Sequence, residues 1–408
     1  MAVNHLKHFV CIHCRALHPP EPELYTCRTC GGNLDARYDY DTIGTLLDPE
    51  RLGRNPDPSL WRYAPFLPTG LESSPISLPI GMTPLTKAVR LGQHVGMNDL
   101  WIKNDTLNPS GSFKDRASLI ILAHCQENNI SMISAASTGN AGTSMACLAA
   151  AAGKSAVIFV PESAPRPKIV QLMIYGARVF LVRGDYTQAF DLCEAVSSRL
   201  GWFNRNTGTN PYTREGKKTV SFELWEQMGY SCPDAVMVSV GDGNIISGVY
   251  KGFYDLHQAK LIPRIPRIIG VQAEKSAAIA NAFHGDGTIC RVNATTVADS
   301  ISASFPSDGE AALAAVQKSG GTFVTLSDDA ILGSISTLAR TEGIFAEPSG
   351  AACVGGIKVL LDQGEIDPSD RVAMIVTGSG LKDVDSAFKV TGMPGIVDPV
   401  PEQVIAAL

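Results

Sequence analysis

Short runs rich in Val, Ile and Ala recur along most of the chain and alternate with segments of helical period, and no other feature limits the choice of fold as strongly. The runs are Asp99–Lys103, 131–136, Ser155–Val160, Ala177–Val182, Ala235–Val240, Arg267–Ala273 and Arg371–Val376. Between them lie the helical patterns Phe113–Asn128, Ala141–Ala152, Arg166–Tyr175, Tyr186–Leu200, Glu215–Met228 and Ile245–Leu256. A strand that is apolar nearly throughout, rather than at every second residue, is covered on both faces. Such strands separated by helices define an α/β protein with parallel sheets, and 408 residues accommodate two of them. No internal repeat interrupts the pattern.

Composition narrows the class of function. With 45% hydrophobic and 18% charged residues and a net charge of −6, the chain has a globular balance and no basic footprint for nucleic acid or an acidic membrane surface. No apolar run approaches the roughly 18 residues of a membrane span, and the start, MAVNHLKHFVCIHC, lacks a signal-peptide core. The expectation is a cytoplasmic protein acting on a small molecule, with no nucleic-acid or membrane partner.

Four of the ten cysteines form two CxxC knuckles, Cys11 with Cys14 and Cys27 with Cys30, twelve residues apart. The spacing predicts a zinc ribbon, with structural or redox cysteines as the alternative. Four thiolates fill a tetrahedral shell, so the zinc would be structural. His13 and His18 lie nearby but are not needed as ligands. The other cysteines (Cys125, Cys147, Cys193, Cys232, Cys290, Cys353) are scattered and read as thiols of the interior. The organisation expected is a ribbon over 1–45, a Pro-rich linker over 46–84 anchored by Trp61, Tyr63, Phe66 and Leu67, a large domain over 85–112 and 211–395, a small mobile domain over 113–210, and a tail over 396–408.

In open α/β sheets ligands bind beyond the carboxyl ends of the strands. Ser134–Ser144 follows a strand, opens a helix, and offers small hydroxyls and N–H groups suited to a carboxylate. Ser239–Gly248 repeats the device with Gly241, Gly243 and Gly248, and suits a phosphate. It is neither a Walker A loop nor a convincing dinucleotide fingerprint, and Asp242 within it is expected to turn its side chain away from the anion. Val376–Asp383 places Thr377 and Ser379 at the end of the last strong strand. Lys114, in NPSGSFKDRAS, opens a helix, where a lysine is slightly disfavoured by the helix dipole and is ordinarily solvated. An activated lysine, a phosphate loop without nucleotide specificity and a carboxylate loop together are what a pyridoxal phosphate enzyme acting on an α-amino acid needs.

The motifs SGSFKDR, STGNAG, NPYTREGKKT, VGDGN and TGSGLKD, in this order after a zinc ribbon, resemble threonine synthase and its relatives among the fold-type-II pyridoxal phosphate enzymes, the tryptophan synthase β-like fold. The resemblance spans about residues 10 to 390. It implies that Lys114 binds the cofactor, that Asp115 and Arg116 lock the helix start, and that Asn140 meets the cofactor's phenolic oxygen. It also implies that Gly241, Asp242, Gly243, Asn244 and Ile245 hold the phosphate, that Thr377 faces the pyridine nitrogen, and that the assembly is a homodimer. Ser137, Thr138 and Gly139 are expected to orient the substrate carboxylate.

Threonine synthases eliminate phosphate from O-phosphohomoserine and add water at Cβ, and the family commonly carries an arginine directly after the aromatic of NPY to bind the leaving phosphate. Here that position is Thr213. Arg116, Arg214 and Lys218 are the candidate anion ligands in its place, and Lys217, beside Lys218 one helical turn on, is a further cation close by. The runner-up activity is β-elimination or β-replacement on a β-substituted amino acid, as in serine/threonine dehydratases or phosphoserine-using synthases. A catalytically silent binding or regulatory relative is the third reading.

Overall fold

The computed structural model describes residues 4–407, apart from Thr138, Pro165 and Asp185. The first strands, β1 (Leu6–Cys11), β2 (Leu17–His18) and β3 (Leu34–Tyr38), form an antiparallel sheet in the order β2-β1-β3. In β3 Leu34, Ala36 and Tyr38 are buried while Asp35 and Arg37 are half-buried, the alternation of a strand with one covered face. Phe9 of β1 meets Tyr212 edge-on at 5.8 Å, tying this small sheet to the body. The Pro-rich segment then lies over the body as expected: Trp61, Tyr63, Phe66 and Leu67 are buried, and Phe66 stacks on Phe222 at 4.7 Å.

The larger sheet contains β4 (Leu85–Lys87), β5 (Asp99–Asn104), β10 (Ala235–Ser239), β11 (Arg267–Ala273), β12 (Phe323–Leu326) and β13 (Arg371–Val376), in the order β12-β11-β10-β13-β5-β4. It is parallel except for β4, a three-residue edge strand that pairs antiparallel with β5 through Thr86 and Ile102. Strand β12 and the helices Gly309–Ser319, Asp328–Glu342 and Pro348–Asp362 lie in the stretch to which the sequence reading assigned no elements. A four-residue strand containing Thr325 is too short for its period to separate it from a loop.

The second sheet is wholly parallel, with β6 (Met132–Ala136), β7 (Ser155–Pro161), β8 (Arg178–Val182) and β9 (Phe203–Asn204) in the order β8-β7-β6-β9. Its helices follow the predicted bounds within one or two residues. The helix expected over Glu215–Met228 is instead two, Tyr212–Lys217 and Thr219–Gln227. Gly216, in the last turn of the first, packs against the Lys114–Glu127 helix so closely that a Cβ there would lie 2.1 Å from the Arg116 carbonyl oxygen.

Three neighbouring strands set the site. β10 pairs with β13 and β13 with β5, so the turns leaving their carboxyl ends, near 240–243, 377–379 and 105–113, lie side by side. From β10 the chain passes to β11 and β12 on one side, while β13 and β5 lie on the other. That reversal is the switch point at which open α/β sheets form a ligand crevice.

Candidate active site

Lys114 begins the helix Lys114–Glu127, which is not amphipathic: every residue from Asp115 to Cys125 is buried. The turn before it is held firmly. Ser110 N–H donates to Asp115 at 2.7 Å, Phe113 N–H donates to the Thr377 carbonyl at 2.8 Å, and Ser379 N–H donates to the Gly111 carbonyl at 3.0 Å. Gly111 takes a left-handed φ of +75° to make that turn. Burial lowers the pKa of the Lys114 amine, Arg205 lowers it further, and Asp242 and Glu347 act against them. The helix start that looked wrong for a lysine thus presents an amine with a depressed pKa between two carboxylates.

The glycine loop opens the helix Asn244–Gln258 with Gly243 at φ +91°. It is backed tightly: a Cβ on Gly241 would lie 2.7 Å from Ile301, and one on Gly243 would lie 2.8 Å from the Asp308 carbonyl oxygen. Asp242 does not turn away from the helix start. Its Oδ1 accepts from Asn244 N–H at 3.1 Å, because a short carboxylate two residues before a helical amide closes an Asx turn. Asp308 accepts from Asn244 Nδ2 at 2.9 Å and from Ser247 Oγ at 2.6 Å, fixing the loop from behind. Ile245 is half-buried at the helix start.

Across the cleft, the loop after β6 runs into the helix Asn140–Ala151. Asn140 Nδ2 donates to Glu347 at 2.7 Å. Burial raises the Glu347 pKa, with Lys382 and the Asn140 contact opposing. A cleft here is lined by Gly139, Asn140, Lys168, Glu347, Ser349 and Lys382, among others. Ser137 N–H is committed to the Phe159 carbonyl at 3.2 Å, so its main-chain donor does not face a ligand. Gly139 faces open space. Thr138 lies outside the described residues. Thr377 is buried where β13 ends.

Three predicted anion ligands are engaged elsewhere. Arg116 is fully buried, gripping Asp105 at 2.6 and 2.9 Å and Glu223 at 2.8 Å, so it braces the helix instead of meeting substrate. Arg214 pairs with Asp308 and donates to the Leu34 carbonyl at 2.9 Å, because its helical position directs it toward the ribbon. Lys218 pairs with Asp255 at 2.8 Å and with Glu215, and sits 4.0 Å from the Tyr38 ring centroid. The sequence reading gave Lys217 only as a nearby cation, and it missed Arg205, Asp308 and Glu347. Lys217 is fully buried, donates to Asn244 Oδ1, and acts electrostatically on Lys114. Helical phase was the available signal: Lys217 lies four residues after Thr213, on the same face.

The cysteine knuckles also come together. Cys11, Cys14, Cys27 and Cys30 hold their sulfurs within 4.8 Å of one another, and His18 Nε2 lies 3.2 Å from Cys27 Sγ. All ten cysteines are free thiols.

The family model for pyridoxal-phosphate dependent enzymes matches residues 76–378. Threonine synthase of Methanocaldococcus jannaschii is 36% identical over 387 residues, covering 94% of this chain and 95% of that protein. Threonine synthase of Methanosarcina acetivorans is 35% identical over 396 residues, 96% of each. Among solved structures, processed threonine deaminase isoform 2 from Solanum lycopersicum matches with a TM-score of 0.66 at 24% identity, covering 77% of this chain and 88% of that one. Maize serine racemase matches with a TM-score of 0.66 at 24% identity, over 75% and 90%. The last two likenesses concern the fold. The chain belongs to the pyridoxal-phosphate dependent enzyme family, in its threonine synthase group, and is a fold-type-II lyase. Among the described residues no helix is long and apolar enough to cross a membrane.

Proposed function

We propose that the cleft eliminates phosphate from O-phosphohomoserine and adds water at Cβ to give threonine. One observation carries this reading: the Lys114 amine lies within electrostatic reach of both the glycine loop, through Asp242, and the opposite wall, through Glu347. Pyridoxal phosphate supplies, when bound, the electron withdrawal that makes a proton at Cα removable. Its requirements match the residues present: an amine for its aldehyde at Lys114, and for its phosphate the glycine-bearing helix start Gly241 to Ile245. Asn140 is assigned to the phenolic oxygen. Thr377 is assigned to the pyridine nitrogen, where a hydroxyl leaves the ring a weaker electron sink than a carboxylate would and so favours elimination.

The depressed pKa of Lys114 leaves its amine able to take protons from Cα and Cβ and return one to Cγ. The substrate carboxylate is assigned to the helix start at Gly139 and Asn140. The described residues of 113–210 form the mobile part that closes over substrate and excludes water until hydration. Four thiol sulfurs within 4.8 Å match the spacing of about 3.8 Å that Zn–S bonds of about 2.3 Å require in a tetrahedron, so Cys11, Cys14, Cys27 and Cys30 are assigned a structural zinc. The ten free thiols support a reducing cytoplasm, and the same reading carries a homodimer.

Incubating cofactor-loaded protein with O-phosphohomoserine, with Lys114→Ala as blank, tests the reading. Phosphate and threonine should appear together with the wild type and not with the blank. The absence of arginine at Thr213 favours the second reading, β-elimination or replacement on a β-substituted amino acid. Formation of 2-oxo acid from serine or threonine, with no product from phosphohomoserine, would establish that reading instead.

A further inference from the structure

The wall beside Lys114 holds a second buried lysine with no carboxylate of its own. Lys217 has no exposed surface, and its amine donates to Asn244 Oδ1. Among the described residues it makes no ion pair. The charges that act on it are Lys114, Asp242, Arg205 and Asp308, with Lys114 first. Asp308 is already held by Arg214, Asn244 and Ser247. Asp242 therefore faces both Lys114 and Lys217, with Glu347 acting on Lys114 alone from the opposite wall. A buried ammonium without a carboxylate partner is costly, and an anion brought to this wall removes that cost.

The wall has a definite shape. Thr213 Oγ1 lies 3.3 Å from the same Asn244 Oδ1, one helical turn before Lys217. Asn244 is the first residue of the helix whose N-terminus follows the glycine loop. Thr213 and Lys217 thus converge on one acceptor, Asn244 Oδ1, at the helix start behind the glycine loop. A phosphate held by the loop has main-chain donors of its own. A second phosphate, on the substrate, has need of a charged one.

We infer that Lys217 is the specificity-determining cation for a phosphate monoester on the substrate, binding the leaving group beside Lys114 and selecting it over a neutral hydroxyl. This rests on the substrate reading given above. The role sits on the residue that shares a helix face with Thr213, and on neither Arg214 nor Lys218.

The test is a titration of cofactor-loaded protein with inorganic phosphate, and separately with O-phosphohomoserine, followed by cofactor absorbance in wild type, Lys217→Gln, Lys217→Met and Lys382→Met. Glutamine keeps a donor to Asn244 and removes only the charge, while methionine checks that packing alone is not responsible. Lys217→Gln should weaken both phosphate ligands roughly 10- to 100-fold, the loss of one charged hydrogen bond, and leave the cofactor dissociation constant unchanged. Weaker cofactor binding with unaltered phosphate affinity would assign Lys217 to the cofactor's own phosphate and overturn the inference. So would loss of phosphate binding in Lys382→Met alone, which would place the anion on the opposite wall, or a wild type that binds no phosphate. Weakened phosphate binding in Lys217→Gln with no threonine formed by wild type would keep the anion site and remove only the substrate reading.

Discussion

Lys217 and Lys218 leave the backbone about 100° apart, and that rotation decides which of them meets the reacting amine. Lys218 turns to Asp255 and the Tyr38 ring, whereas Lys217 turns to Asn244. Burial lowers the Lys217 pKa well below its ordinary value; Lys114 and Arg205 press it down further, while Asp242 and Asp308 oppose them. An anion beside it favours the charged amine, so binding takes up a proton and affinity falls as pH rises through the lowered pKa. Sulfate, whose own charge is constant near neutrality, is the right probe. Its affinity for the cofactor-loaded protein should decline with rising pH in wild type and decline less in Lys217→Gln; equal slopes would remove Lys217 from the binding step. At this scale the sequence announced Lys114 and the glycine loop, because a misplaced lysine and clustered glycines are local signals. It gave Lys217 only as a nearby cation, and it did not announce Glu347 or Asp308, whose partners Asn140 and Asn244 lie 207 and 64 residues away.

The Lys114–Glu127 helix is an element held from within. Arg116, Asp105, Glu223 and Lys103 form a fully buried charge cluster, with Lys103 2.6 Å from Glu223. Removing one partner strands the others, so Glu223→Gln should cost about 3–5 kcal/mol in denaturant unfolding. An Arg116→Met variant that folds should show a lower melting temperature with an unchanged KM; a large rise in KM at unchanged stability would restore Arg116 as a substrate ligand. Burial opposes ionisation of Glu223, but Arg116 and Lys103 outweigh it and hold the pKa at about 2. A depressed carboxylate stabilises the fold above its unfolded pKa, near 4.3, and that contribution is lost as pH falls through about 2. The loss of stability over that window should be shallower in Glu223→Gln. Element type was legible where a strand carried at least four apolar residues, as in β10, β11 and β13. It was not legible in β12, nor in the interruption at Lys218 between the helices Tyr212–Lys217 and Thr219–Gln227.

Across the whole molecule, the ribbon reaches the site through Asp308. Asn33 donates to Asp308 at 3.0 Å and to the Ser307 carbonyl at 2.8 Å, while Arg214 joins Asp308 to the Leu34 carbonyl. Asp308 in turn fixes Asn244 and Ser247 behind the glycine loop. Removing metal from the cysteine cluster, or Cys27→Ser, should therefore lower the melting temperature and also weaken cofactor binding, measured by equilibrium titration. Unchanged cofactor affinity would reduce the ribbon to an independent module. The two knuckles were plain in the sequence, since their spacing is a local property. Their coupling to a loop more than 200 residues away was not.

The proposed reaction breaks a carbon–oxygen bond and then adds water at a different carbon. The direct test is to run the reaction with O-phosphohomoserine in water enriched in ¹⁸O and to analyse both products by mass spectrometry. Elimination followed by hydration predicts one labelled oxygen in the threonine hydroxyl and none in the released phosphate. Label in phosphate with homoserine as the co-product would mean attack at phosphorus, and would contradict the account.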